Sequence, residues 1–318
     1  MPREVAATAP DHALAVARAV VTEIAASGER DPTPPARPAK RGTWTILRQN
    51  PPALVGAAIL GAIALLGLFA PFLFPGDPLS ITGAPFLWPG ASAGHPLGTD
   101  SLGRDILAGL AHGARISLRI GLSAAALGLV VGVTIGAAAG YRGGWTDALL
   151  SRLIEIVHTL PPFVLLVVLA AILPPTSNTL AVAIAAVTWP TVARLARTEF
   201  RSLREKDFVL AARSIGYSHT RIIVHEILPN ALPPIVVTAS VMVASAILME
   251  AALSFMGLGD PNVVSWGSMI GAGREYLRTG WYMSALPGLA IMLTVLALNL
   301  IGDALNEAMN PRRRGGGR

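Results

Sequence analysis

The sequence predicts an all-α, polytopic integral membrane protein with six transmembrane helices and a helical loop in the cytoplasm. Of its 318 residues, 53% are hydrophobic and only 14% are charged, and the mean hydropathy is +0.56. Soluble domains usually carry about 25% charged residues. The apolar residues also fall in long blocks almost free of charge, which a soluble core does not require. These three observations together favour a membrane protein.

Six apolar blocks are long enough to cross a bilayer, since about 20 apolar residues span about 30 Å of hydrocarbon. The predicted spans are 52–74, 119–142, 154–173, 179–197, 232–256 and 279–302. The third and fourth spans come from one uncharged tract, which Pro174, Pro175 and the polar residues 176–178 interrupt. Because proline and small polar residues break helices, we expect a tight turn there.

Basic residues predict which ends of these spans face the cytoplasm, because cytoplasmic loops are enriched in Lys and Arg. Seven basic residues lie in the segment 194–226, and others cluster near both termini. In contrast, Arg104 is the one basic residue of 75–114, and Arg274 and Arg278 are those of 259–278. Six spans therefore place both termini and the segment 194–226 in the cytoplasm.

We predict three parts along the chain. Residues 1–43 form a flexible cytoplasmic tail, in which Pro32, Pro34, Pro35 and Pro38 are typical of a linker. Residues 44–312 form the transmembrane domain, and residues 313–318 form a short C-terminal tail. All spans belong to this one membrane domain.

Composition and motifs exclude several classes of function. The net charge of +6 would suit nucleic acid, but the basic residues flank apolar blocks instead of forming a patch with aromatics. The absence of cysteine excludes disulfides and thiolate chemistry. No catalytic motif is present, and His95 and His112 are too far apart in sequence to indicate a metal site. We therefore expect neither an enzyme nor a metal centre.

The segment after the fourth predicted span has a helical pattern of its own. Phe208, Ala211, Ala212 and Ile215 recur at helical spacing, and Gly216 is expected to end this first helix. Two short amphipathic helices at a bend would present an apolar face, which needs a partner groove or a lipid surface. A plain connector is the alternative.

A second short helix is expected after this bend. Ser218 is suited to cap it, and isoleucines at 222, 223 and 227 follow at similar spacing. Pro229 is expected to end this helix before the fifth span.

This segment resembles the coupling-loop motif of bacterial ABC importer permeases, which is Glu-Ala-Ala, three residues, Gly, nine residues, Ile, one residue, Leu-Pro. The matching residues are Ala211, Ala212, Gly216, Leu228 and Pro229, with Leu210 in place of Glu and Glu226 in place of Ile. We call residues 206–229 the coupling loop.

Other segments resemble the dipeptide/oligopeptide/nickel branch of these permeases. They are 95–106 with 113–118, then 140–145, 250–259 followed by 265–267, and 299–312. The likeness covers about residues 44–312 and is closest to the second of the two permease subunits in such systems.

The resemblance implies one half of the translocation path for di- or oligopeptides, in an ATP-driven importer of the bacterial inner membrane. The implied partners are a homologous second permease, two ABC ATPase subunits, an extracytoplasmic substrate-binding protein and membrane lipid. The residues expected to contact an ATPase are Phe208, Leu210, Ala211, Ala212, Ile215, Gly216, Leu228 and Pro229.

ATP and Mg²⁺ would bind to the partner ATPases and not to this chain. Its two lysines, Lys40 and Lys206, lie outside any phosphate-binding Gly-x-x-x-x-Gly-Lys-Ser/Thr sequence. Two alternatives stay open: the same architecture importing nickel or another small solute, and a channel or scaffold without ATP coupling.

Three polar residues within or at the end of the spans are candidates for a pore or gate. A carboxylate such as Glu250 costs about 2.5–3.5 kcal/mol to insert into a bilayer, so it should face protein or a wet cavity. It either lines a pore or bonds to another helix. Asn299 and Asp303 lie four residues apart on one helix face, where they either serve a cytoplasmic gate or cap the bundle.

Overall fold

The computed structural model describes residues 18–19 and 50–309, and helices make up most of this part of the chain. Its only β-type pairing consists of two isolated bridges, Ser92–His95 and Thr99–Asp105. The predicted all-α class is therefore confirmed. The predicted tails, 1–43 and 313–318, lie outside the described residues except for 18–19, so their boundaries stay predictions.

The helices between residues 50 and 309 follow one another with short connections, except for a long loop before α2. They are α1 (Pro51–Leu73), α2 (Ile106–Arg142), α3 (Gly144–Thr159), α4 (Pro162–Ile172), α5 (Ser177–Leu203), α6 (Asp207–Ser214), α7 (His219–Arg221), α8 (Leu228–Phe255), α9 (Trp266–Gly273) and α10 (Tyr282–Met309). A π-helical turn, Ile222–Ile227, joins α7 to α8, and a 3₁₀ turn, Arg274–Tyr276, follows α9.

Five helical runs are long and apolar enough to cross a membrane: α1, α2, α5, the run His219–Phe255 and α10. The predicted third span, 154–173, is wrong as a single straight helix, because α3 and α4 meet at an angle of 82°. Pro161 and Pro162 account for this bend, since proline lacks the N–H that would continue the helical hydrogen bonds. The chain has six crossings only if the bent pair is one span, so the count of six stays a prediction.

The break predicted between the third and fourth spans is confirmed. α4 ends at Ile172 and α5 begins at Ser177, where the Thr176 side chain accepts a hydrogen bond from the Thr179 N–H at 3.2 Å. This bond satisfies one of the free N–H groups at the start of α5.

The second span is longer than predicted, because α2 begins at Ile106 and not near residue 119. The Asp105 side chain caps α2 by accepting from the Ala108 N–H at 2.9 Å, and its other oxygen bonds to His95 Nδ1 at 2.7 Å. The 37 residues of α2 extend about 55 Å, well beyond the hydrocarbon. Arg119 thus lies within the helix, where its guanidinium donates to Asn178 Oδ1 at 3.4 Å.

α2 and α5 form the most extensive helix pair of residues 50–309. Four glycines of α2 face α5 at a spacing of four residues: Gly128, Gly132, Gly136 and Gly140. A Cβ atom at Gly136 or Gly140 would overlap the backbone oxygen of Ala193 or Arg197, respectively. Small residues at this spacing let two membrane helices approach closely. We call this row the glycine seam. Its four-residue spacing is visible in the sequence but was not predicted to be a helix contact.

The other long helices pack around this pair. α8 contacts α2, α5, α9 and α10, and its buried side chains, such as Ile247 and Leu253, contribute to two neighbouring apolar clusters. α1 lies against α2 and α10, with Gly56 close to the backbone oxygen of Ala297. Asn50 caps α1 and donates to Glu307 of α10 at 3.1 Å, which joins the two helix ends.

Candidate functional site

The coupling loop begins with α6, which ends where the sequence predicts. Gly216 has a φ of +81°, a backbone conformation that residues other than glycine rarely adopt. The N–H of Tyr217 bonds to the Ala212 carbonyl at 3.1 Å, as at many glycine-terminated helix ends. Ser218 then caps α7 by accepting from the Arg221 N–H at 3.4 Å. The predicted first helix, the bend at Gly216 and the cap at Ser218 are confirmed.

α6 has one buried face, while other apolar side chains on it and directly after it are exposed. Val209 and Ala212 are 0% and 4% exposed, in a cluster with Phe200 of α5 and the isoleucines of the π-helical turn. Three other apolar side chains are exposed: Phe208 (38%) and Leu210 (48%) on α6, and Ile215 (70%) directly after it. Among the predicted contact residues, Ala212 is therefore part of the core, whereas Ala211 is exposed.

Pro229 does not end the second helix, contrary to the prediction. The chain stays helical from His219 to Phe255, and Pro229 lies in the first turn of α8, directly after the π-helical turn. The π-helical turn just before Pro229 shifts the hydrogen-bond register, so that the Leu228 N–H bonds to the Ile223 carbonyl, and such a shift lets a membrane helix continue through a proline. Glu226 lies in the π-helical turn, and its carbonyl accepts from Asn230 Nδ2 at 2.6 Å.

Arg197 of α5 and Arg204, which directly follows α5, hold the base of the coupling loop against the junction of α2 and α3. Arg204 Nη1 donates to the carbonyls of Gly140 and Tyr141 at 3.2 and 3.3 Å. Arg197 pairs with Asp147 of α3 through two hydrogen bonds, one of them Nη2–Oδ2 at 2.8 Å. Bidentate pairs of this type fix geometry as well as charge. Movement of the coupling loop is therefore expected to carry α2, α3 and α5 with it.

Glu250 is the only buried carboxylate among the described residues, with an exposed fraction of 0%. Ser117 Oγ of α2 donates to Oε2 at 3.1 Å, and Ser254 Oγ of α8 donates to Oε1 at 2.7 Å. Ser117 Oγ in turn accepts from the Trp266 N–H of α9 at 3.3 Å. Glu250 thus belongs to a network that joins α2, α8 and α9, as the interhelical interpretation expects.

The long loop between α1 and α2 is irregular but held by side-chain bonds. Tyr282 Oη of α10 donates to the carbonyls of Leu87 and Thr99 at 2.9 and 3.2 Å. His112 Nε2 lies 3.1 Å from the Phe74 carbonyl, and His95 is paired with Asp105. Both histidines considered as metal ligands, His95 and His112, thus contact protein groups in this structure.

Asp260, in the loop between α8 and α9, ties this loop to the start of α5. Its Oδ2 accepts from both the N–H and the hydroxyl of Ser177, each at 2.9 Å. Burial alone would raise the pKa of Asp260, but hydrogen bonds from Asn262 and Ser177 outweigh it and hold the pKa below the ordinary value. The carboxylate therefore stays ionised at neutral pH and secures the two loops to each other.

Comparison with known families decides the identity of this helical bundle. Residues 132–315 match the family described as binding-protein-dependent transport system inner membrane component, which is more than half of the chain. The chain belongs to this family. Residues 40–92 also match the N-terminal transmembrane domain of oligopeptide transport permease C. The resemblance seen in the sequence is confirmed, and the permease is a multi-pass inner membrane protein.

Individual relatives agree with the family match. The permease is 40% identical to the dipeptide transport system permease protein DppC of Alkalihalophilus pseudofirmus, over 86% of this chain and 90% of that protein. It is 39% identical to the di/tripeptide transport system permease protein DppC of Pseudomonas aeruginosa, over 85% and 91%.

A solved structure shares the fold of the permease. It is an inward-facing conformation of the MetNI methionine ABC transporter, with a TM-score of 0.52 and 18% identity, over 64% of this chain and 96% of that one.

The remaining pore or gate candidates of the permease lie apart from Glu250. Asn299 and Asp303 are exposed one turn apart on α10, and no hydrogen bond of the described residues joins either one to Glu250. The adjacent Gly302 is buried against Ser240 of α8. Within this chain, Asn299 and Asp303 are thus accessible to a partner subunit, whereas Glu250 is not.

Replacing Glu250 by leucine is expected to lower the free energy of unfolding by about 1–3 kcal/mol, because the Ser117 and Ser254 hydroxyls lose their buried acceptor. Glu250→Gln keeps one acceptor oxygen and is expected to retain most of the stability. Thermal unfolding in detergent, with transport assayed in parallel, checks both variants. If Glu250→Gln is as stable as wild type but transports nothing, the carboxylate acts in transport and the structural interpretation is contradicted.

Proposed function

We propose that this permease forms one half of the translocation path of an ATP-driven importer of di- and oligopeptides. Relatives 40% and 39% identical over most of the chain are named as dipeptide and di/tripeptide permeases. The structural observation that carries the proposal is the exposure of three apolar side chains in the coupling loop, Phe208, Leu210 and Ile215. A channel or scaffold that binds no partner through this loop would not need these side chains exposed.

In this proposal the permease works with four other subunits. A homologous permease lies beside it and completes the path, and an extracytoplasmic binding protein delivers the peptide. Two ABC ATPases bind ATP and Mg²⁺ on the cytoplasmic side, and one of them receives Phe208, Leu210, Ala211 and Ile215. Both termini are cytoplasmic, as the seven basic residues of 194–226 favour.

The structure supports a rigid-body transmission from the coupling loop to the helices. The α6 core residues, Arg204 and Arg197 all connect the loop to α2, α3 and α5. The glycine seam brings the backbones of α2 and α5 into close contact, so these two helices are packed tightly together. When the ATPases close on ATP, the loop would move and this group of helices would tilt as a unit, shifting the path between inward- and outward-facing states.

The test is to purify the full-length permease from its native membrane in mild detergent and identify the accompanying proteins by mass spectrometry. We expect a second permease and ATPases with the phosphate-binding loop to come with it. Recovery of a stable homo-oligomer alone would contradict the proposal and favour a channel or scaffold.

A second experiment tests the substrate: with the purified complex, uptake of labelled dipeptide is compared with uptake of Ni²⁺. Accumulation of nickel alone would overturn the peptide assignment while leaving the importer intact.

A further inference from the structure

A basic cavity of about 730 Å³ lies where the ends of α2 and α5 meet α6 and α7. Three arginines line it, Arg142, Arg204 and Arg213, against one acidic residue, Glu205. Arg204 and Glu205 are already engaged with each other at 3.4 Å. The cavity thus carries an excess of positive charge that the described residues do not neutralise.

Arg142 and Arg213 supply this excess. Both side chains are exposed, and no carboxylate of residues 50–309 lies within ion-pair distance of either one. The Arg213 guanidinium lies 5.7 Å from the centre of the Tyr141 ring, which holds it at the cavity wall. Guanidinium groups in such a pair suit a phosphate, whose oxygens accept several N–H bonds at once.

An apolar groove continues from this cavity along α2. It has a volume of about 320 Å³ and shares Tyr141, Arg142 and Ile223 with the basic cavity. From Val133 to Tyr141 it follows eight residues of α2, or about 12 Å, which is most of the roughly 15 Å depth of one hydrocarbon leaflet. The groove therefore has the length and polarity of a site for one acyl chain.

The α2 surface beside the groove is apolar and open. Leu127 and Val130 are 43% and 66% exposed. Such a surface suits contact with lipid tails, which cost nothing to place beside valine and leucine.

We propose that the groove and the cavity together bind one anionic phospholipid. Its acyl chain lies along α2 between Ala137 and Leu228, and its phosphate is held by Arg142 and Arg213. A basic pocket at the cytoplasmic end of transmembrane helices is a recognised kind of headgroup site. Neither a free phosphate nor a carboxylate of an ATPase has an apolar chain to fill the groove. A phospholipid has both a phosphate and an acyl chain, so the continuity of the cavity with the groove favours the lipid.

The test measures lipid binding to the purified full-length permease by native mass spectrometry, with phosphatidylglycerol and phosphatidylcholine as probes. We expect wild type to retain phosphatidylglycerol in preference to phosphatidylcholine. The double variant Arg142→Gln/Arg213→Gln is expected to bind phosphatidylglycerol about 30-fold more weakly, since it loses two basic contacts. The matched control Arg194→Gln/Arg278→Gln removes the same charge from exposed arginines outside both spaces and is expected to bind as wild type does.

A second variant tests the groove without changing charge. Ala137→Phe fills the space beside α2, and we expect it to weaken binding of long-chain phosphatidylglycerol while thermal unfolding stays close to that of wild type. Equal binding of the two lipids by wild type would overturn the proposal. So would undiminished binding in both variants, or displacement of the lipid by inorganic phosphate alone, which would assign the cavity to a free anion. If binding falls equally in the control pair, the effect is one of net charge and the site is refuted.

Discussion

Ala211→Asp is expected to abolish peptide uptake and ATPase association while the permease itself stays folded. Ala211 is exposed on α6, the short helix that also exposes Phe208 and Leu210. A carboxylate placed there is solvated in the free chain but would be desolvated without a partner when the ATPase docks. We expect uptake and recovery of the ATPase to fall at least about tenfold, because a loss of about 1.4 kcal/mol of binding free energy weakens the affinity tenfold.

The neighbouring residue provides a matched control for this prediction. Ala212 is 4% exposed in the core beneath α6, so Ala212→Asp is expected to destabilise the fold and lower the yield of protein in the membrane. Uptake, ATPase recovery and the melting temperature of the detergent-solubilised chain are measured for both variants. Full uptake with Ala211→Asp would remove the main support for the coupling loop as the ATPase contact.

Gly136→Ala is expected to lower the free energy of unfolding by about 3 kcal/mol, at the upper end of the usual cost of overpacking a core. The added methyl group would overlap the backbone oxygen of Ala193, which a side-chain rotation cannot relieve. α2 and α5 must then separate, and the Arg204 and Arg197 bonds above the seam are expected to loosen with them. Thermal unfolding in detergent and peptide uptake measure the two consequences.

Gly61→Ala is the control, because the same substitution on α1 meets nothing within 4 Å. Alanine is the better helix former by about 1 kcal/mol, so this variant is expected to be as stable as wild type or slightly more so. If Gly136→Ala were equally harmless, the α2–α5 contact would have to be looser than the glycine seam indicates.

Local features of the fold were predictable where a single residue type determines the backbone conformation or its hydrogen bonding. The break near residues 174–178, the helix end at Gly216 and the cap at Ser218 each depend on the conformation or hydrogen bonding of a few adjacent residues. The bend at Pro161 and the continuous helix through Pro229 were not predicted correctly. A proline bends a helix in one context, but a local change of hydrogen-bond register, such as the π-helical turn before Pro229, accommodates it in another. Which outcome applies depends on the packing of segments distant in sequence.

For the coupling loop and Glu250 as well, the sequence predicted some features and only the tertiary structure showed the others. Periodicity identified α6 as amphipathic, yet only the packing of Phe200 and the π-helical turn shows that Ala212 is buried and Ala211 exposed. The cost of a charge in a membrane indicated that Glu250 needs partners, but the sequence does not name Ser117, which lies 133 residues away.

The amino-acid sequence determined the membrane class, the apolar helices and the place of the coupling loop, because these depend on composition, periodicity and short motifs within a single stretch of chain. Tertiary structure alone decided which face of α6 is free, which serines bond Glu250, and how the glycine seam and the arginine-lined cavity are built. These features arise from contacts between residues that are distant in sequence. Such contacts exist only once helices have packed at a particular angle and depth, and no local pattern encodes them.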